Sequence, residues 1–347
     1  MRSIWSGTIS FGLVSVGVRM FPATESKELR FHFLDKKDMT PIAYEKVRRD
    51  DRKPVDSDDI VRGFEIDKGR YVEIGDEDLD RLDIELTHSI DICDFVSLEE
   101  IDPLYYRKPY YLLPTQGAEK PYRLLVRALA ETGKVGIAKV VIRNKQHLAC
   151  LRTYDDFLLL ETMYYPDEVR SPASLDEIDP IYYRKPYYLL PSQGAEKPYR
   201  LLVRALAETG KVGIAKVVIR NKQHLACLRT YDDYLLLETM FYPDEVRNPA
   251  SLDGDIGAAK LQKAEVEMAK SLVENLSEPF KPEKYTDTYR KELLDLIRAK
   301  AKGQKLPEPQ DEDEGEVVDL MTALRESVER TKKQRKRSSP KKRAKAS

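Results

Sequence analysis

Residues 103–143 read PLYYRKPYYLLPTQGAEKPYRLLVRALAETGKVGIAKVVIR, and residues 180–220 read PIYYRKPYYLLPSQGAEKPYRLLVRALAETGKVGIAKVVIR. Both stretches belong to a block of 77 residues that occurs twice in succession, with six mild differences: copy 1 is Ser97–Ala173 and copy 2 is Ser174–Ala250. Two copies are too few to stack into a solenoid. The pattern indicates a tandem duplication inside a domain, so each functional surface of the block is present twice in the sequence.

The block itself predicts one helix and several strands. Tyr105–Leu113 is an extended aromatic segment, and Ala118–Glu131 has the pattern of a helix that tolerates Pro121 in its first turn and ends before Gly133. Three strands are then predicted at Val135–Arg143, His147–Thr153 and Phe157–Met163. One copy therefore supplies a helix and a three-stranded meander.

The segments on either side of the repeats differ in type. Ile4–Phe21 alternates like a strand, with a change of parity at Leu13 and Val14 that predicts a bulge or bend. After the repeats, Leu261, Met268, Leu272 and Leu276 share one side of a predicted helix with a single acid, Glu265. The chain is therefore expected to be of the α+β class and mainly β, built on an antiparallel barrel or meander.

These patterns divide the chain into seven segments. They are residues 1–96, the N-terminal part of the barrel; 97–173 and 174–250, the two copies; 251–306, a C-terminal helical arm; 307–316, an acidic linker; 317–329, an amphipathic helix; and 330–347, a basic tail that we expect to be disordered. The formal net charge of −1 hides a strong separation, because the ten Lys and Arg of the tail leave a net charge of −11 on the rest. Local patches, not the overall charge, decide which partners are attracted.

Basic residues of each copy fall on shared faces. At 100° per residue, Lys120, Arg123, Arg127 and Lys134 lie within about one sixth of the helix circumference. The other cations of copy 1 are Arg107, Lys108, Lys139 and Arg143. Their counterparts in copy 2 are Arg184, Lys185, Lys197, Arg200, Arg204, Lys211, Lys216 and Arg220. Such faces beside tyrosines suit the phosphate backbone of a nucleic acid; the alternative is a solvated charged face over core tyrosines.

The C-terminal segment carries two further candidate sites. The basic tail is predicted to contact DNA through Lys332, Lys333, Arg335, Lys336, Arg337, Lys341, Lys342 and Arg343. Its Ser339-Pro340-Lys341-Lys342 stretch is similar to short elements that lie along DNA minor grooves. The preceding helix has an apolar stripe of Val317, Leu320, Met321, Leu324 and Val328. That stripe either packs on the rest of the chain or docks a partner.

The sequence contains no pattern typical of an enzyme. The three cysteines and four histidines have no neighbours at metal-ligand spacing, so we expect neither a metal nor a cofactor. No segment has the roughly 20 apolar residues of a membrane span, the N-terminus does not read as a secretory signal, and the cysteine usage fits a reducing cytoplasm. One enzymatic alternative stays open, a lyase that uses Lys134 or Lys139 as an amine nucleophile on damaged DNA ends.

Several motifs resemble those of prokaryotic Ku proteins. They are the opening residues 1–14, MRSIWSGTISFGLV; Asp102-Pro103 with Tyr105-Tyr106; residues 108–112, KPYYL; 117–120, GAEK; 132–138, TGKVGIA; and 285–290, YTDTYR. The resemblance extends over almost the whole chain up to the tail. It departs from many relatives in one place, because residues 44–55 lack the cysteine pair that those relatives carry.

The resemblance implies a homodimeric ring built on a β-barrel, with a DNA-encircling bridge and helical arms. Such a ring threads double-stranded DNA ends without reading sequence, serves non-homologous end joining at the nucleoid, and recruits a multifunctional ATP-dependent DNA ligase. On this view the protein is not an enzyme. Each repeat is expected to supply bridge, helix and three strands, and its basic residues are expected to line the hole of the ring. The tail and the amphipathic helix would bind DNA or the ligase.

The duplication leaves the arrangement of the copies open, because both cannot fill one place in a barrel. Copy 2 could fill it, with copy 1 extruded; copy 1 could fill it, with copy 2 displaced; or the copies could exchange between subunits. If the duplication breaks the ring, the alternative function is that of a general architectural DNA- or RNA-binding protein.

Overall fold

The computed structural model describes residues 2–25, 32–79, 89–142, 145–168, 183–219, 222–231, 234–252, 256–257, 259–304 and 320–338. The strands are β1 (Trp5–Phe11), β2 (Val14–Pro22), β3 (Arg62–Asp67), β4 (Arg70–Ile74), β5 (Ser89–Ser97), β6 (Tyr106–Pro114), β7 (Lys134–Val141), β8 (Gln146–Tyr154), β9 (Phe157–Met163), β10 (Tyr183–Leu189), β11 (Gly213–Ile219), β12 (Lys222–Tyr231) and β13 (Tyr234–Met240). The helices are α1 (Asp76–Leu79), α2 (Glu119–Thr132), α3 (Glu196–Thr209), α4 (Lys263–Asn275), α5 (Thr288–Ala301) and α6 (Leu320–Ser338).

A closed barrel forms the centre of the larger of two compact units, which comprises the described parts of residues 1–25, 86–287 and 315–347. Its strand order is β1-β2-β6-β9-β8-β7-β5. Neighbouring strands are antiparallel except for β1 and β5, which close the barrel as a parallel pair. The predicted mainly β fold with an antiparallel barrel is confirmed, and the parallel closure is a feature that the sequence did not indicate.

The change of parity at Leu13 and Val14 marks a hairpin and not a bulge. Strands β1 and β2 pair in register from Trp5 opposite Met20 to Phe11 opposite Val14. Gly12 lies in the turn with a φ of +64°, a left-handed conformation that suits glycine. Ile9, Val16 and Val18 are fully buried in the main core, which explains the alternation of apolar residues along both strands.

Copy 1 supplies four of the seven barrel strands, β6 to β9. Strand β6 pairs with β2 from the N-terminal hairpin, and β7 pairs with β5. Helix α2 packs its apolar side on the barrel, where the Tyr122 hydroxyl donates a hydrogen bond to the Leu112 carbonyl (2.7 Å) and accepts one from the Leu158 N–H (2.8 Å). The barrel is thus complete without any strand from copy 2.

The last residues of copy 2 return the chain to the barrel. Strand β9 ends at Met163, and near the end of copy 2 Val246 forms a β-bridge with Thr24, while the Tyr111 hydroxyl donates a hydrogen bond to the Arg247 carbonyl (2.9 Å). Copy 1 therefore fills the place in the barrel next to the N-terminal strands. This is the second of the three arrangements that the sequence left open.

Copy 2 repeats the local structure of copy 1 without its surroundings. It forms an open four-stranded sheet in the order β10-β13-β12-β11, with α3 docked through the Tyr199 hydroxyl (2.7 Å to the Leu189 carbonyl). In copy 1 the corresponding outer strands, β6 and β7, pair with β2 and β5, whereas β10 and β11 are edges of the described sheet. Apolar side chains that are buried in copy 1 are exposed here: Leu201 on α3 is 69% exposed, and its counterpart Leu124 on α2 is 2% exposed.

Helices α4 and α6 cover the barrel. Val266, Leu272 and Val273 of α4 and Leu324 of α6 belong to the same buried core as the barrel interior. Helix α6 is longer than expected, because it continues to Ser338, whereas the sequence predicted disorder from Arg330. Lys, Arg and Gln are good helix formers, and a packed N-terminal half supplies the nucleus from which they extend. Residues 339–347 lie outside the described residues.

The smaller compact unit comprises the described parts of residues 26–85 and 288–314. Strands β3 and β4 form a hairpin, and Ile74 packs against Tyr289, Leu296 and Ile297 of α5. Residues 32–54 are exposed throughout and contain two turns, each closed by an isolated bridge: Leu34 with Pro41, and Val47 with Pro54.

Candidate nucleic-acid interface

The predicted basic face of α2 is largely occupied within the chain. The Lys120 ammonium donates a hydrogen bond to the Glu265 carboxylate of α4 (Nζ to Oε1, 2.6 Å), and the Arg123 guanidinium donates to the Gly257 carbonyl. Because α4 and the segment before it lie on this side of α2, Lys120 and Arg123 do not present a free phosphate-binding surface. On copy 1 this part of the cationic face therefore has protein partners, and its contact with DNA stays a prediction.

The next two cations of this face also have protein partners. The Arg127 Nε donates to Glu131 one helical turn on (2.7 Å), and Lys270 of α4 contacts the same carboxylate (3.2 Å). Lys134, at the start of β7, donates to the Ser97 hydroxyl (2.8 Å). Arg127 is nevertheless exposed, so it could exchange its exposed partner for a phosphate.

Glu265 explains why α4 docks where it does. Its side chain is almost fully buried, and burial raises the pKa of a carboxyl, but hydrogen bonds from the Lys120 side chain and the Gln262 backbone N–H overcome this and lower the pKa of Glu265. The acid on the apolar side of α4 therefore binds the cationic side of α2. A buried acid with this partner orients the two helices.

In copy 2 the same basic face is exposed. Lys197, Arg200, Arg204 and Lys211 are exposed along and just beyond α3, and α4 does not cover them. The described ion pair on this face joins the Arg204 Nε to Glu208 (2.6 Å), within the helix. An ion pair between exposed side chains contributes little, about 0–1 kcal/mol, and yields readily to a competing anion. Of the two copies, copy 2 thus has the more exposed cationic face, and contact of either face with DNA stays a prediction.

Of the predicted strand cations whose side chains the structure describes, those of copy 2 are exposed and those of copy 1, apart from Lys108, are half-buried. Lys185 and Lys216 of copy 2 are exposed, as is Lys108 of copy 1. Arg107 is half-buried and lies over the Tyr164 ring (4.6 Å from its guanidinium carbon to the centroid), and Lys139 is half-buried on β7. Arg143, Arg220 and the side chain of Arg184 lie outside the described residues.

His147 lies near the start of β8, close to the cations of copy 1. Burial is the main cause of the lowered pKa of His147; Lys145, Arg107 and Lys108 add to it and Glu168 opposes it, so that the pKa is lowered to about 4. The imidazole is therefore neutral at pH 7 and adds no charge to the surface. Its position beside three cations marks this edge of the barrel as electropositive.

The tail residues are described only in part. Lys332 is exposed on α6, and Lys333, Arg335, Lys336 and Arg337 lie on the last turns of this helix, where the backbone alone is described. Lys341, Lys342 and Arg343 lie outside the described residues, as does Val317.

The apolar stripe of α6 faces the protein. Leu324 and Val328 are buried in the main core, and Leu320 and Met321 pack against it. The Ser327 hydroxyl also accepts a hydrogen bond from the Leu13 N–H in the β1–β2 turn (2.8 Å). The sequence left open whether this stripe packs on the chain or docks a partner. In the structure it packs on the main core, so the described part of the stripe is covered.

One exposed region was missed by the sequence reasoning. Residues 32–54, with their two turns, carry cations at Lys36, Lys37, Lys46, Arg48, Arg49, Arg52 and Lys53, together with exposed Phe33 and Tyr44. The available signal was the absence of any apolar periodicity over more than twenty residues, which is unusual in a segment inside a compact unit.

Metal-ligand clusters and an activated cysteine are the two features of chemical sites that can be checked in the described residues. No set of three or more His, Cys, Asp or Glu side chains among them could hold a metal ion. Burial raises the pKa of the Cys150 thiol to about 12, so this cysteine is not a nucleophile at neutral pH. No helix in the described part of the chain is long and apolar enough to cross a membrane.

Comparison with known proteins gives consistent matches along the chain. The family model described as the Ku70/Ku80 beta-barrel domain matches twice, over residues 10–176 and 173–268. A Non-homologous end joining protein Ku from Symbiobacterium thermophilum is 36% identical over 337 residues, which cover 96% of this chain and 64% of that relative. Proteins with the same name from Desulfitobacterium hafniense and Bacillus subtilis are 35% and 32% identical, over 95% and 96% of this chain and 88% and 83% of their own lengths.

Proposed function

The chain belongs to the Ku β-barrel family, and from that premise we propose that it binds the ends of double-stranded DNA in non-homologous end joining. The observation that carries the proposal is the closed barrel that the N-terminal strands form with copy 1. The duplication adds a copy beside this barrel and removes no strand from it. The barrel is thus closed without a strand from copy 2.

Binding would be independent of base sequence. Exposed Lys and Arg side chains attract phosphates, and the release of condensed counterions supplies most of the affinity. On the described surface, Lys108, Arg127, the α3 face of copy 2 and the basic end of α6 are the candidates. The exposed cations of residues 32–54 are further candidates for phosphate contacts.

The finer features of the function are also proposals. Two chains would form a ring that loads over a free end, so that the preference for ends comes from topology and not from a chemical feature of the end. We propose that the DNA-bound ring recruits an ATP-dependent DNA ligase, that the chain itself has no catalytic role, and that it acts at the nucleoid in the cytoplasm.

A second candidate function is general binding of DNA or RNA. It is favoured by the exposed cations of copy 2, which lie outside the barrel and need no ring to reach a phosphate backbone. Such a surface would bind closed and linear duplexes alike. The two candidates therefore differ in one measurable property, the need for an end.

The test is a competition experiment. The chain is bound to a labelled linear duplex in moderate salt and is challenged with equal masses of linear plasmid or covalently closed plasmid. End binding predicts that linear plasmid displaces the label and closed plasmid does not. Equal displacement by both would contradict the proposal and support general binding.

A further inference from the structure

Helix α4 binds one side of α2, the helix of copy 1. Near the start of α2 the Lys120 ammonium donates a hydrogen bond to the Glu265 carboxylate (Nζ to Oε1, 2.6 Å), and near its end Lys270 contacts the Glu131 carboxylate (3.2 Å). Leu124 lies between these contacts, four residues after Lys120 and therefore on the same side of the helix. Its side chain is buried in the same cluster as the apolar residues of α4. A stripe of cation, leucine and acid on α2 is thus covered by α4.

The same stripe of α3, the helix of copy 2, is exposed. Because α3 has the sequence of α2, Lys197, Leu201 and Glu208 repeat the stripe with identical spacing. All three side chains are exposed. A single exposed leucine is ordinary on a protein surface. Here, however, the identical leucine of an identical helix is buried in copy 1, and copy 1 shows which kind of element covers it.

That element is an amphipathic helix with one acid on its apolar side. Val266, Ala269 and Leu272 of α4 are buried, and Glu265 is buried with them. A buried carboxylate is stable only opposite a cationic or hydrogen-bonding partner. The pair of Glu265 with Lys120 therefore selects both the kind of helix that fits this stripe and its register.

The duplication doubled the docking face but not the helix that covers it. Both faces are encoded within the repeated block, whereas α4 (Lys263–Asn275) follows the second copy and its sequence occurs once in the chain. One α4 covers one face. Since α4 lies on α2, the face of α3 is the one that remains without this cover.

We propose that copy 2 is a docking site for an amphipathic helix of another protein, with an apolar stripe that contains one acid at the position of Glu265. Leu201 packs against the apolar stripe of this helix, and Lys197 pairs with its acid, as their counterparts in copy 1 do with α4. Arg200 and Arg204 are exposed beside Lys197. They favour a helix with a net negative charge.

A labelled peptide with the sequence of residues 261–277, which contains α4 and its N-terminal cap, is the probe. Its binding to the full chain is followed by fluorescence anisotropy in the absence of DNA, and we expect saturable binding. Leu201→Asp should weaken it at least about 10-fold, the factor that corresponds to the burial of one leucine side chain. Because Leu201 is exposed, this variant should keep the unfolding free energy of the full chain.

An exchange of charges tests the predicted pair. Lys197→Glu in the chain, or Glu265→Lys in the peptide, should each weaken binding at least about 10-fold, because each brings like charges together. The two changes combined should restore the affinity to within about threefold of the original, which a misfolded variant could not do. Lys216→Glu reverses an exposed cation of the same copy on β11 and is the matched control. It should bind the peptide like the full chain.

The proposal is overturned if the peptide does not bind, or if Lys197→Glu and Lys216→Glu have the same affinity for it. Association of the full chain with itself that is lost in Leu201→Asp would also overturn it, because the face would then be covered by α4 of a second chain. These measurements contain no DNA, so they do not depend on the end-binding proposal. That proposal fails separately, if closed plasmid competes with linear plasmid.

Discussion

The placement of copy 1 in the barrel predicts that one substitution has two different effects in the two copies. Helices α2 and α3 have the identical sequence EKPYRLLVRALAET, so Leu124 and Leu201 have the same local neighbours. Leu124 belongs to the main buried core and is 2% exposed, whereas Leu201 is 69% exposed. The pair Leu124→Ala and Leu201→Ala therefore measures the surroundings alone.

The magnitude follows from the burial of each side chain. Leu→Ala removes three carbon atoms, whose transfer free energy is about 0.8 kcal/mol each, or about 2 kcal/mol in total. The cavity that remains in a closed core raises the loss for Leu124→Ala to about 3–4 kcal/mol. For Leu201→Ala we expect less than about 0.5 kcal/mol, because water already solvates most of this side chain.

Urea unfolding followed by tryptophan fluorescence is a suitable assay. The single tryptophan, Trp5, lies on β1 and packs against the main core, so its emission reports the barrel and not copy 2. Equal losses of unfolding free energy in Leu124→Ala and Leu201→Ala would refute the assignment of copy 1 to the barrel. A larger loss for Leu201→Ala would show that copy 2 fills the barrel in solution.

Four further predictions follow from the site. Lys120→Met leaves the buried Glu265 carboxylate without its cationic partner and should lower the unfolding free energy by about 1–3 kcal/mol, whereas the control Lys197→Met should lower it little. Because the pKa of Glu265 is lowered in the folded chain, this difference is present above about pH 4.5 and is lost as the pH falls through the lowered pKa. His147, whose pKa is lowered to about 4, should titrate near pH 4 by NMR, and a titration near pH 6.5 would contradict the burial argument. The contribution of its neutral imidazole to the unfolding free energy should be full above about pH 6.5 and fall as the pH drops from there to pH 4. Replacement by Gln should make the unfolding free energy less dependent on pH over this range. Reversal of Arg200 and Arg204 to Glu should weaken DNA binding more than reversal of Arg123, which already has a protein partner; equal effects would remove the copy 2 face from the interface. Removal of residues 332–347 should reduce the salt dependence of DNA binding by about 0.9 in the logarithmic slope for each lost phosphate contact, and an unaltered slope would exclude the tail.

The local structure could be predicted from the sequence because it depends on neighbouring residues. The helix expected at Ala118–Glu131 is observed as Glu119–Thr132, and the strand expected at Phe157–Met163 is observed with the same bounds. Gly133 follows the helix with a φ of +62°, in the left-handed conformation that ends many helices. Copy 2 folds locally in the same way, since its sequence gives the same signals.

The place of each copy could not be predicted, because both copies carry the same local pattern. The choice is made by long-range pairing, of β6 with β2 and of β7 with β5, and periodicity contains no information about which copy forms these pairs. Copy 1 follows β5 directly in the chain, so its strands reach the N-terminal strands through a shorter connection.

The basic face of α2 illustrates a second limit of sequence reasoning. The helical period correctly groups Lys120, Arg123 and Arg127, but it does not show what packs on them. A signal did exist in Glu265, the one acid on the apolar side of α4. An acid in that position is buried only with a cationic partner, and Lys120 supplies it.

The most direct test of the account is a topological one. The chain is loaded on a linear duplex, which is then either closed into a circle by a purified ligase or left open, and both samples are washed with high salt. If the protein encircles DNA that it entered at an end, it stays on the closed circle after phosphate contacts are screened and leaves the open duplex. Equal release from circles and open duplexes would contradict threading, and the protein would then bind DNA only through its exposed cationic surfaces.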